Sequence, residues 1–163
     1  QDVIPTSPGI VANNSFTTMG VWYDSSLASR GHLGSLRFGG MERSTVMLGV
    51  VNQFITYDQS ALPDTTDDFA VPGRIESVVI SGNNNLNRAS FIDSIIAAYR
   101  IGRIRLLDVV GTDQPNSGIK FGFALKEIET YERFTPERTV TSIPDKKGHY
   151  QLRVVLDSLQ GLI

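Results

Sequence analysis

The chain contains no cysteine. That excludes a disulfide framework and thiolate chemistry, and it leaves the compartment open because many secreted bacterial proteins also lack the residue. Histidine is nearly as scarce. His32 and His149 are the only two, and neither stands in an HxxxH or Ser-His-Asp setting, so nucleophilic and metal-hydrolytic catalysis find little support. No apolar run approaches the ~20 residues of a helical membrane span. An excess of one charge is missing as well: 15 Lys and Arg oppose 17 Asp and Glu, for a net charge of −2. Nothing therefore draws the chain as a whole to nucleic acid or to an anionic membrane. Disorder is excluded too, since 40% apolar and 20% charged residues in a 163-residue chain suit a single globular domain.

What is present is a phrase that returns. Leu33-Gly34-Ser35-Leu36-Arg37-Phe38-Gly39-Gly40, Ile75-Glu76-Ser77-Val78-Val79-Ile80-Ser81-Gly82 and Ile101-Gly102-Arg103-Ile104-Arg105-Leu106-Leu107-Asp108 share apolar residues at the first, fourth and sixth positions. A weaker echo runs over Leu125-Lys126-Glu127-Ile128-Glu129-Thr130-Tyr131. Alternation at the fourth and sixth positions is strand periodicity with one face buried. Its recurrence predicts a repeated structural unit.

The phrases begin 42, 26 and 24 residues apart, and a spacing near 24 accommodates one coil of two or three short strands. The longer first interval contains a loop over Asn52 to Pro72. Each coil also carries a second strand: Thr45 to Val50, Phe91 to Ala98 and Ile119 to Ala124. Polar turns such as Gly39-Gly40, Gly82 to Asn85 and Asp113 to Gly118 separate the pieces. The stretch Arg88 to Arg100 also reads as an amphipathic helix capped by Ser90, but its β-branched Ile92, Ile95 and Ile96 favour strand. Tyr150 to Leu156 alternates in the β manner.

Short coils of the form apolar-Gly-Ser-Ile-x-Ile-x-Gly, a polar turn, a small-residue strand and an Asp/Thr-rich loop, to which these phrases are similar, resemble the right-handed parallel β-helix repeats of very large secreted or surface proteins, such as those of planctomycetes. The resemblance covers Leu27 to Phe134. It implies an all-β fold, a short right-handed parallel β-helix, with residues 1–26 as an N-terminal arm or cap and 135–163 as C-terminal strands or cap. It implies an adhesive or structural role and carries over no catalytic residue. The competing architecture is an antiparallel β-sandwich or jelly roll, in which short turn-rich strands are also common.

Candidate sites are few. Asp58, Asp64, Asp67 and Asp68 offer hard oxygen ligands of the kind calcium takes. The loop lacks the glycine and spaced aspartates of an EF-hand, and the plainer reading is a solvated insertion. Asp108, Asp113 and Asn116 read as turn chemistry. Arg37, Arg103 and Arg105 fall at outward strand positions, either as a basic ladder or paired with Glu76, Glu127 and Glu129 of adjacent coils; pairing is favoured. Trp22, Tyr23, Phe54, Tyr57 and Phe69 form either a sugar-stacking platform or, as favoured here, an apolar cap. His32 reads as a coil-corner residue and His149 as part of a hairpin turn.

A coil of about four turns, ~4.8 Å each, leaves its two ends large relative to its length. Unpaired strand edges at those ends must be capped or must pair with a neighbour. The expected function is thus that of a non-enzymatic extracellular structural or surface protein, self-associating end to end through its termini into a filament or layer. In that arrangement Val3, Ile4, Ile10, Val11, Phe16, Met19 and Val21 belong to the arm, and Leu152, Val154 and Leu156 form the complementary edge. The alternatives are a carbohydrate- or calcium-binding adhesive module and, behind it, a polysaccharide-processing enzyme. The chain opens on Gln1, which fits a secreted protein after removal of its signal or a segment of a longer chain.

Overall fold

The computed structural model describes residues 15–51, 62–82, 90–107, 121–135, 138–147 and 150–157. These residues are all-β, with no α-helix among them. The strands are β1 (Phe16–Tyr23), β2 (Ser26–Ser29), β3 (Leu33–Glu42), β4 (Thr45–Leu48), β5 (Arg74–Ile80), β6 (Phe91–Ile92), β7 (Ile95–Ala98), β8 (Arg100–Leu107), β9 (Phe121–Leu125), β10 (Glu127–Phe134), β11 (Thr139–Val140), β12 (Asp145–Lys147) and β13 (Tyr150–Val154). The segment that could read as a helix, Arg88 to Arg100, holds β6 and β7 instead. Ile95 and Ile96 are buried in sheet, and Ile92 is half-buried beside the end of β3.

The strands form two mixed sheets, neither closed. The long sheet runs β1-β3-β5-β8-β10-β11, with β6 beside the end of β3; the short sheet runs β12-β13-β9-β7-β4-β2. From β1 to β5 the chain alternates between the two, and each strand pairs in parallel with its predecessor in the same sheet. Antiparallel strand pairs among the described residues are β10 with β11 and β12 with β13. The first two phrases are thus parallel, contrary to the antiparallel-sandwich alternative.

Register places the phrases side by side. Leu36 faces Val78 and Val78 faces Ile104, while Phe38 faces Ile80 and Ile80 faces Leu106. All six are 0–1% exposed. Leu33, Ile75 and Ile101 make a third buried row. Burial of both the first and fourth residues requires the alternation to skip one position between them, where Gly34, Glu76 and Gly102 stand.

Three boundaries differ from the sequence reading. The stack begins at Phe16 rather than Leu27, since Phe16 pairs with Leu36 and Thr18 with Phe38. Met19 and Gly20 together oppose Gly39 as a bulge, and a Cβ on Gly39 would lie 2.2 Å from the Met19 carbonyl oxygen. The fourth phrase starts at Ile128, opposite Ile101, with Tyr131 and Arg133 in the apolar columns; Leu125 belongs to β9. Strand β13 is not a free edge, because β9 and β12 flank it, so Leu152 is buried and cannot join a neighbouring copy.

The corner between the sheets repeats as well. Asp24, Arg43 and Asp93 adopt left-handed φ of 45°, 45° and 43°, a conformation that an aspartate tolerates better than most residues. Each precedes a serine. The Ser44 Oγ accepts the Ser25 N–H at 3.1 Å, and the Ser94 Oγ accepts the Ser44 N–H at 3.1 Å. These hydroxyls pair backbone donors that the turn leaves over, which is required because Ser44 and Ser94 are fully buried.

The main core lies between the sheets. A second cluster covers the other face of the short sheet, where Met47, Ile95, Ala97 and Ala124 meet Val50, Leu62, Phe69 and Val155. Strands covered on both faces read as near-continuous apolar runs, which accounts for Thr45 to Leu48 and Ile95 to Ala98.

Candidate functional site

The described part of the acidic loop is a packed flap rather than a wholly solvated insertion. Leu62 and Phe69 are its buried anchors. Between them Thr66–Asp68 forms a 3₁₀ turn, and the Asp68 carboxylate accepts the N–H groups of Asp64 at 2.9 Å and Thr65 at 3.1 Å. The flap is tied to the chain's far end: the Thr66 N–H donates to the Leu156 carbonyl at 3.1 Å, and Arg153 Nη1 donates to the Leu62 carbonyl at 2.9 Å. Asp64 and Asp67 are exposed. Asp58 lies outside the described residues. Among the described residues, no three His, Cys, Asp or Glu side chains are gathered as a metal would need.

The aromatic residues divide between the two apolar clusters. Trp22 stacks on Phe38 with ring centroids 5.2 Å apart and lies 5.8 Å from Phe16, closing the first turn of the core as a cap does. Phe69 meets Tyr99 edge-on in the second cluster. The Arg43 guanidinium lies 4.5 Å from the Tyr23 ring centre. Phe54 and Tyr57 lie outside the described residues, as does His149. His32 occupies the expected corner, where its Nδ1 accepts the Arg74 N–H at 3.2 Å.

On the outer face of the long sheet, Glu76, Glu127 and Glu129 are paired, though not with the arginines expected. Arg74 reaches Glu76 at 2.8 Å and Glu129 at 3.7 Å; Arg100 reaches Glu129 at 2.6 Å and Glu127 at 3.6 Å. The Arg100 hydrogen bond holds the Glu129 carboxyl below its ordinary range. Each of these two arginines immediately precedes the apolar start of its phrase, one position outside the outward sites considered in the sequence. Among the described residues, Arg105 has one carboxylate partner, Glu132, at 3.9 Å.

The C-terminal end of the stack is closed by a buried quartet. Tyr131 and Arg133 on β10 continue the apolar columns, Asp145 opens β12, and Tyr150 opens β13. Arg133 grips Asp145 with two hydrogen bonds, Nε to Oδ2 at 2.6 Å and Nη2 to Oδ1 at 3.0 Å. The Tyr131 hydroxyl donates to Asp145 and meets the Tyr150 hydroxyl at 2.9 Å. Burial pushes the Asp145 carboxyl up, but the hydrogen bonds from Arg133 and Tyr131 outweigh it and hold the group below its usual value. Burial raises both tyrosines. The carboxylate is already held by three donors, so the quartet is built as a closure. The outermost strands here are short, β11 and β12, and β12 begins directly after Pro144 with Asp-Lys-Lys. Those are the usual means of blunting a sheet edge.

The N-terminal end has the opposite character. Among the described residues, β1 and β2 are paired on one side only. Phe16-Thr17-Thr18-Met19-Gly20-Val21-Trp22-Tyr23 and Ser26-Leu27-Ala28-Ser29 contain neither a charged residue nor a proline. Met19, Val21 and Tyr23 are 84%, 40% and 48% exposed. The bulge at Met19 is the one blunting device in β1. The sequence signal is the eight-residue run Phe16 to Tyr23, free of charge and proline, which the sequence reading assigns to the arm.

Compared with protein-family models, with curated proteins and with solved structures, the chain matches none.

Proposed function

We propose that this chain is a non-enzymatic structural module of a secreted or surface protein, a short right-handed parallel β-helix that associates with a second copy through its N-terminal end. The observation that carries the reading is the contrast between the ends: two charge-free edge strands at one, and at the other two short strands, one of them Asp-Lys-Lys, over a buried ion pair. Unpaired strand edges recruit strands, and charges or prolines are what ordinarily prevent it. The β-helix reading is supported by the alternation between two sheets whose repeat strands pair in parallel and by the unbroken register of the three phrases. Extracellular placement rests on the resemblance of the repeats. With the C-terminal end closed, a paired assembly through β1 is favoured over an open filament.

Light scattering over a range of concentrations tests it. The full chain should rise from monomer to dimer mass, and Val21→Lys or Thr17→Lys should stay monomeric while melting at the same temperature. A full chain that remains monomeric at the highest concentration overturns the proposal.

A further inference from the structure

On the outer face of the long sheet the carboxylates are used unevenly. Arg74 and Arg100 occupy Glu76, Glu127 and Glu129. Among the described residues, Arg37 and Arg103 have no acidic partner, and Arg105 has Glu132 alone, at 3.9 Å. All three arginines are exposed. Register fixes their arrangement. Arg37 faces Val79, which faces Arg105, so the two arginines share a row two strands apart, roughly 10 Å at the usual strand spacing. Arg103 faces Ser77 in the adjacent row, and Ser77 donates to or accepts from Ser35 at 3.0 Å. Thr130 continues that row opposite Arg103 and is exposed. The result is a flat patch of three guanidiniums with hydroxyls between them, on a chain that is acidic overall.

We propose that this patch binds a linear anionic polysaccharide, lying across the strands, through its carboxylate or sulfate groups. Guanidinium is suited to both, since its planar fork donates two parallel hydrogen bonds to either anion. A pyranose chain advances by nearly one strand spacing per sugar, so anionic groups on alternate sugars meet Arg37 and Arg105 while ring hydroxyls meet Ser77 and Thr130. Single-stranded nucleic acid fits less well, because such sites add aromatic faces for stacking between the charges. Here Val79 lies between Arg37 and Arg105, and the Phe134 ring already lies beneath the Arg105 guanidinium, 4.8 Å away.

The probes are heparin, polygalacturonate, neutral dextran and single-stranded DNA, each immobilised and challenged with the full chain at low salt. Retention on heparin or polygalacturonate, with dextran inert, is the expected result; comparing the two separates sulfate from carboxylate recognition. R37S/R103S should lose at least tenfold in affinity. R30S/R138S, which removes the same charge from exposed sites elsewhere, should behave as the parent. Thermal melts confirm that both variants are folded. The proposal is overturned if neither polyanion retains the parent, if both variants weaken equally, or if DNA binds more tightly than either polysaccharide.

Discussion

Arg133 stands beside Leu106 in the register of the long sheet, at the position where each of the three preceding phrases places an apolar side chain: Phe38, Ile80 and Leu106. A cation in an apolar column is tolerable only if its charge is met at once, and Asp145 meets it from the other sheet. The pair therefore joins β10 of the long sheet to β12, the outermost strand of the short one. Replacing Asp145 with Asn should cost about 3–5 kcal/mol, because it leaves a buried guanidinium without its counter-charge. The double replacement Arg133→Met/Asp145→Leu should cost much less, since well-packed apolar groups often substitute for a buried pair with little loss. Urea denaturation of Arg133→Met, Asp145→Leu and the double variant measures the coupling. Independent, additive losses would show that the pair does not act as a unit.

The same quartet sets a pH window. Asp145 has a native value below its ordinary 3.8, so its contribution is complete above the unfolded value and is lost as pH falls through the native one. The tyrosines are raised above 10.0, so their neutral forms stabilise the fold until pH climbs past 10 and toward the native values. Melting temperature should be level between these limits, with an acid loss below about pH 4. Arg133→Met/Asp145→Leu should lose the part of the acid limb that belongs to Asp145. An acid limb identical in the parent and the double variant would assign it to other carboxylates.

The serines at the corner are expected to differ by depth. Ser94 accepts the Ser44 N–H and donates to the Ile92 carbonyl at 2.7 Å, and both serines are fully buried. Ser94→Ala strands a buried N–H and should destabilise by about 1–3 kcal/mol. Ser25 is only half-buried and donates to the Tyr23 carbonyl at 2.8 Å; Ser25→Ala should cost less than about 0.5 kcal/mol. Chemical denaturation compares them, and equal costs would contradict the burial argument.

These corners also show what a sequence displays and what it hides. The 1-4-6 phrase is legible because three residues of one strand must all be buried, and the parallel register then follows from aligning like with like. The corner signal is a left-handed residue followed by serine, as in Asp24-Ser25, Arg43-Ser44 and Asp93-Ser94. Two residues are too short a pattern to stand out from ordinary turns. The last phrase is obscured because Tyr131 and Arg133 occupy its apolar columns, so the eye slides back to Leu125. Asp145 belongs to no repeat, and only the fold brings it to Arg133. Arg74 and Arg100 sit just ahead of their phrases, where alternation says nothing about which glutamate they reach. The acidic loop misleads in the other direction: its aspartates advertise ligands, while Leu62 and Phe69 do the anchoring.

Gly122 combines a φ of +131° with a backbone neighbour at very close range, the Gln151 carbonyl oxygen lying 2.0 Å from where a Cβ would be. An alanine there must displace the β9–β13 pairing, because the obstacle is main chain and cannot swing aside. Gly122→Ala should unfold at markedly lower denaturant, by upwards of about 2 kcal/mol. Gly31→Ala is the control, since its nearest neighbour is the Ser29 hydroxyl at 3.9 Å. Matching midpoints for the two variants would mean that the close approach is not needed.

The flap allows the two readings of its aspartates to be separated. The Asp68 carboxylate is spent on the N–H groups of Asp64 and Thr65, an N-cap type of role worth about 0.5–2 kcal/mol when removed. Asp67 is exposed. If the cluster is a calcium site, the ion raises the melting temperature by mass action and chelator reverses it, while Asp67→Asn and Asp68→Asn each relieve repulsion and stabilise the calcium-free protein. If Asp68 caps the 3₁₀ turn, Asp68→Ala destabilises, Asp67→Asn changes little, and millimolar calcium leaves every curve where it was. The geometry leads us to expect the second pattern. Because the flap covers Met47, Ile95 and Ala124 through Leu62 and Phe69, weakening the cap should also speed hydrogen exchange at β4 and β7. A calcium-dependent rise in the parent's melting temperature, lost in Asp67→Asn, would restore the metal site.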